Sequence, residues 1–115
     1  MNQLSIVKKV SKAFETGDFS EVKNNFTKDF IMDWPGMFSV EGINDLELFL
    51  QKNTPKRVVE VNPIHLIEKD NLVIGNGTIT VEMHSGLHIK NYFCDIYEFE
   101  DVKIKKITSY ITHDK

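Results

Sequence analysis

With 115 residues, 41% of them hydrophobic and 27% charged, the chain has the size and balance of one globular domain (1-115), not of a disordered or fibrous protein. A net charge of -3 and basic clusters no longer than Lys8-Lys9-Lys12 and Lys103-Lys105-Lys106 exclude the broad cationic surface that nucleic acid requires. A single cysteine, Cys94, excludes an internal disulfide framework. With no run approaching about 18 apolar residues and no leader-like N-terminus, the sequence predicts a cytoplasmic protein without a membrane partner.

In chain order, Leu4, Val7, Val10 and Phe14 recur at three- and four-residue steps opposite Lys8, Lys9 and Lys12, which predicts an amphipathic helix capped by Gly17. Phe19, Val22, Phe26 and Phe30 continue the stripe, so a second, shorter helix is expected, capped by Asp18 or Ser20. Pro35-Gly36 forces a turn after Trp34. Asn44 is the expected N-cap of a third helix carrying Leu46, Phe49 and Leu50 and ending before Pro55.

From Arg57 onward, β-branched runs alternate with turn formers at Lys69-Asp70-Asn71, Ser85-Gly86 and Glu100-Asp101. Four successive antiparallel strands follow. Helices first and a meander second is an α+β layout, in which the helices cover the apolar face of the sheet.

The segments "AFETGDFSEVKNNFTKDFIMDWPG", "EGINDLELFLQ" and "FCDIYEFEDVKIKKITSY" resemble the SnoaL-like and ketosteroid-isomerase-like members of the nuclear transport factor 2-like superfamily, over nearly the whole chain. The resemblance implies a cone-shaped α+β barrel: N-terminal helices on the concave face of a strongly curved, mainly antiparallel sheet, enclosing a deep pocket. It also implies homodimers formed through the outer sheet face. Members of this superfamily include isomerases, cyclases, dehydratases, epoxide hydrolases and binding modules, and fold alone does not choose among them.

Alternation places Asp95 in one row with Ile89, Asn91, Phe93, Tyr97 and Phe99, so its carboxylate is expected to point inward among rings, where lost hydration raises its pKa. By resemblance it stands where ketosteroid-isomerase-like enzymes keep an oxyanion-hole aspartate; the alternative is an architectural acid bonded to a hydroxyl. Asp33, beside Trp34 and Pro35, falls near the family's general base, although counting from Gly17-Asp18 puts Trp34 on that position. The alternative for Asp33 is a turn-stabilising aspartate.

The same counting puts Val10 where the isomerase has its oxyanion tyrosine, which leaves Tyr97 or Tyr92 as substitute donors. His84 is a weaker candidate base, and a His84/His88 metal pair lacks a third ligand. Phe14, Phe26, Phe30, Trp34, Met83, Phe93, Tyr97 and Ile107 are the expected pocket wall, or equally an ordinary core. The combined expectation is a pocket protein for a small apolar molecule, with Asp33 and Asp95 as catalytic acids and neither metal nor cofactor. The alternative is a non-catalytic ligand-binding or dimerisation module.

Overall fold

The computed structural model describes residues 2–113. Helix α1 (Gln3–Thr16) forms where the stripe predicts it, burying Ile6, Val7, Val10 and Ala13. Its ends are closed by local chemistry. The Asn2 side chain accepts the Ser5 N–H at 2.8 Å, and Gly17, at φ 80°, donates its N–H to the Ala13 carbonyl at 2.7 Å. Helix α2 (Ile43–Asn53) also forms, but Gly42 rather than Asn44 precedes it as N-cap.

The expected second helix does not exist. A single 3-10 turn (Lys23–Asn25) leads into strand β1 (Phe26–Trp34), which turns at Pro35-Gly36 into the short strand β2 (Phe38–Glu41). The four-residue step from Phe26 to Phe30 fits a strand of period two as well as a helix. What decides it is Phe30, Met32 and Trp34, a clean alternation of buried residues on one side of β1.

Strands β3 (Arg57–Lys69), β4 (Leu72–Glu82), β5 (His88–Glu100) and β6 (Lys103–His113) form the expected antiparallel meander with turns at the expected breaks. The full sheet has six strands in the order β2-β1-β6-β5-β4-β3, and β1 joins β6 in parallel. It is therefore mixed and open, a curved sheet with the two helices packed against one face, as in the NTF2-like cone. Core residues come from α1, α2 and the inner rows of β1, β4, β5 and β6. No helix among the described residues is long and apolar enough to cross a membrane.

The bend between β3 and β4 depends on glycine. The β3 register slips between Val58 and Glu60 and again between Pro63 and His65, and opposite the second slip lies Gly77. A Cβ there would stand 2.4 Å from the Asn62 carbonyl oxygen and 2.9 Å from the Pro63 Cα. Gly77→Ala is expected to lower stability by roughly 1–3 kcal/mol through this backbone clash, read as a fall in the urea midpoint. An unchanged midpoint would show that β3 is free to move away.

A half-buried acid on the concave face

The inner face is set by register. In β5 and β6, Tyr97 lies opposite Ile107, Asp95 opposite Ser109, Phe93 opposite Ile111 and Asn91 opposite His113. On the other side of β5, Asp95 faces Gly75 and Phe93 faces Gly77. Asp95 thus points to the helix-covered side, as alternation predicts, with no side chain beside it on β4.

Its surroundings explain its chemistry. The carboxyl is half-buried, and Ser109 donates its hydroxyl to Asp95 Oδ1 at 2.6 Å. Burial pushes the carboxyl up to about 6, against the opposing pull of the Ser109 hydrogen bond. Oδ2 has no hydrogen-bond partner among the described residues. One oxygen is therefore fixed and the other is free to exchange a proton.

One step deeper, Tyr97 is 3% exposed, and its hydroxyl lies 3.4 Å from the Ser11 hydroxyl on α1. Burial first, and then the charge of Asp95, hold the phenol above its ordinary range. It stays neutral, with a proton to offer. The predicted donor site on α1, Val10, is fully buried core.

Asp33 does not join Asp95. It alternates with the buried Met32 and Trp34 and pairs with Ser39 and Thr108, on the row that continues through Ile96. That row belongs to the opposite face of the sheet, so the two carboxylates do not converge. The physical reason is the strand itself: in a helix-to-turn segment Asp33 could reach the interior, but in β1 it is one residue out of phase.

The predicted wall divides into core and rim. Phe26, Phe30, Ile107 and Tyr97 are packed core, and Phe26 and Phe30 meet edge to face at 4.6 Å. Trp34, Phe38 and Phe49 form a mutual cluster of rings, with centroids 4.6 to 5.4 Å apart. Phe14 packs edge-on against Phe19, and Met83 sits in the β4–β5 turn, where its N–H bonds the Leu87 carbonyl. Of the eight, only Phe93 borders an open groove of about 290 Å³ that runs along Tyr92–Cys94 and Ser109–Thr112 past Pro35 and Met37. Asp95 therefore stands outside the lining of that groove, next on its row to Phe93 and hydrogen-bonded to Ser109, both of which line it.

Arg57 and two of the histidines are committed elsewhere. Arg57 Nε and His88 Nε2 approach Glu82 Oε1 at 2.9 and 3.5 Å, and His65 bonds Asn76. His84 is exposed in the β4–β5 turn. Sequence reasoning missed Ser109 and Ser11, the hydroxyls that contact Asp95 and Tyr97.

An NTF2-like protein from Cytophaga hutchinsonii is 27% identical, with 96% of this chain and 100% of that one aligned at a TM-score of 0.76. An LEH-like epoxide hydrolase from M. tuberculosis is 19% identical over 94% of this chain and 80% of its own, at 0.77. SalBIII, an epoxide hydrolase/cyclase-like enzyme of pyran ring formation in salinomycin, is 16% identical over 96% and 90%, at 0.79. No curated protein matches the sequence. The SnoaL-like domain pattern matches residues 7–107, and the chain belongs to the SnoaL-like domain family.

Proposed function

We propose that this protein seats a small, mostly apolar molecule on the concave face of its sheet and that Asp95, acting alone, moves a proton on it. The observation that carries this reading is the divided carboxyl: Oδ1 held by Ser109, Oδ2 without a partner, and burial bringing the group to about 6. An acid tuned close to neutral pH is a far better base than an exposed aspartate. The reaction is an isomerisation, or a ring opening or closure of the kind the names of the two epoxide-hydrolase-like relatives describe.

For a β,γ-unsaturated ketone the enolate is conjugated with the C=C bond, and the proton moves from the α- to the γ-carbon. Oδ2 takes a proton from the carbon beside the carbonyl, the C–H electrons form a C=C bond, and the carbonyl π electrons move to oxygen as an enolate. Return of the proton from Oδ2 to a different carbon gives the isomer and restores the carboxylate.

The test uses 3-cyclohexen-1-one in D2O. The native protein is expected to speed deuterium uptake and double-bond migration, and Asp95→Asn to abolish both. No acceleration, together with no shift of the Phe93, Ser109 and Ile111 amides, overturns the reading. Acceleration that survives Asp95→Asn removes Asp95 from it. A binding module without turnover is the second reading, favoured by Val10, which fills core where an oxyanion tyrosine would stand; it predicts amide shifts without deuterium uptake.

The outer face supports a homodimer. Leu72, Ile74, Tyr92 and Tyr110 share that face and are 37–52% exposed, an apolar surface that a second copy would cover. Sedimentation is expected to give a dimer, and Ile74→Lys with Tyr110→Glu a monomer; a monomeric native protein would remove this assignment. The free thiol of Cys94 supports a reducing, cytoplasmic location.

A further inference from the structure

Asp95 is not the only polar group on the concave row. Two rungs along, Asn91 stands opposite His113, and His113 Nδ1 is hydrogen-bonded to Asn91 Oδ1. Asn91 is 9% exposed, on a row that carries rings, aliphatic chains and Asp95. His113 satisfies only its oxygen. The amide nitrogen, with two N–H donors, has no hydrogen-bond partner among the described residues and is not sealed from solvent, so it can donate to water or to a ligand.

Between the two polar rungs lies one apolar rung, Phe93 opposite Ile111, and Ile111 is 41% exposed. Gly77, beside Phe93 on β4, adds no side chain to that rung. The face is therefore polar, apolar and polar in succession. Four residues of strand separate the two polar stations by about 13 Å. Hydrogen bonds of about 3 Å from each station, aimed anywhere between straight inward and toward one another, leave roughly 7 to 13 Å between the partner atoms.

We infer that the concave face takes an elongated apolar molecule with an oxygen at each end, one end at Asp95 and Ser109 and the other at Asn91 and His113. The inference rests on the proposed concave-face site and adds to it the length and polarity of the ligand. Asn91 acts as a positioning donor: it recognises an acceptor at the far end and fixes which carbon reaches Asp95. Monofunctional molecules of the same shape lack that anchor.

The test compares 4,4′-dihydroxybiphenyl with 4-hydroxybiphenyl, a rigid pair that differs only in the second oxygen, by amide-shift titration of the native protein. The diol is expected to bind roughly five- to tenfold tighter, the worth of one hydrogen bond, and to shift the amides of both Ser109 and Asn91. Asn91→Ala is expected to reduce the diol to the affinity of the mono-alcohol. Equal affinity for the two probes in the native protein, with shifts at Ser109, overturns the two-ended site and leaves the Asp95 seat standing. No shift with either probe overturns both. Because the native protein alone decides between these outcomes, the result does not depend on any variant folding.

Discussion

Asp95→Asn is expected to make the protein more stable at pH 8 by on the order of 2 kcal/mol while removing its proton-transfer activity. The carboxyl titrates at about 6 in the fold, against 3.8 for the ordinary group. Below pH 3.8 it is protonated whether folded or unfolded, and the native state bears no burial cost. As pH rises from 3.8 through 6, the unfolded chain releases a proton that the native state retains, so stability falls across that window. Above it, the native state carries a half-buried charge at full cost. Two pKa units correspond to nearly 3 kcal/mol, reduced here because water reaches part of the group.

Asparagine keeps the shape and keeps an oxygen to accept the Ser109 hydroxyl, but it has no charge to bury. Urea unfolding should therefore separate the two proteins at pH 8 and bring them together near pH 3.5. Activity should respond in the opposite sense. Native turnover is expected to rise with pH through about 6, as the base ionises, and the variant to lose roughly a hundred- to ten-thousandfold at every pH. A variant that is less stable than the native protein at pH 8 would show that the charge is not buried, and the acid–base assignment would fall with it.

How much of this site was readable in sequence turns on one residue. Alternation alone puts Asp95 inward with Phe93 and Tyr97, and the coordinates agree. Counting outward from the β5–β6 turn, however, pairs Asp95 with Thr108, because Glu100 faces Lys103 and Phe99 faces Ile104. An irregularity between Glu98 and Phe99 moves every later pair by one and brings Ser109 opposite the acid. A bulge of this kind leaves no composition signal, so the hydroxyl that fixes Oδ1 was invisible beforehand.

The face of Asp33 was hidden for a different reason. Its face depends on whether residues 26–34 are helical, and that depends on pairing with β6, more than 70 residues later in the chain. The later meander has no such dependence: each of its strands pairs with its sequence neighbour, through turns marked by Asp70, Gly86 and Asp101 at positive φ. Contacts local in sequence were legible, and the parallel joint between the two ends of the chain was not.

The same ambiguity makes Phe30→Ala the most informative change in the core, with an expected loss of about 3–5 kcal/mol. Phe30 is fully buried, meets Phe26 edge to face, and stands on the strand that ties the β1–β2 hairpin to the meander. Truncation would remove most of a ring from that joint and leave a void that the backbone ladder cannot close. If residues 26–30 were helical, part of the loss would be returned, because alanine is the best helix former and phenylalanine a mediocre one. In a strand the preference runs the other way, so local propensity and packing act together. A loss of 3–5 kcal/mol in urea is a large share of the stability of a small domain, so the variant should sit near its unfolding midpoint at 37 °C. A loss below about 1 kcal/mol would contradict both the burial of this ring and the strand that carries it.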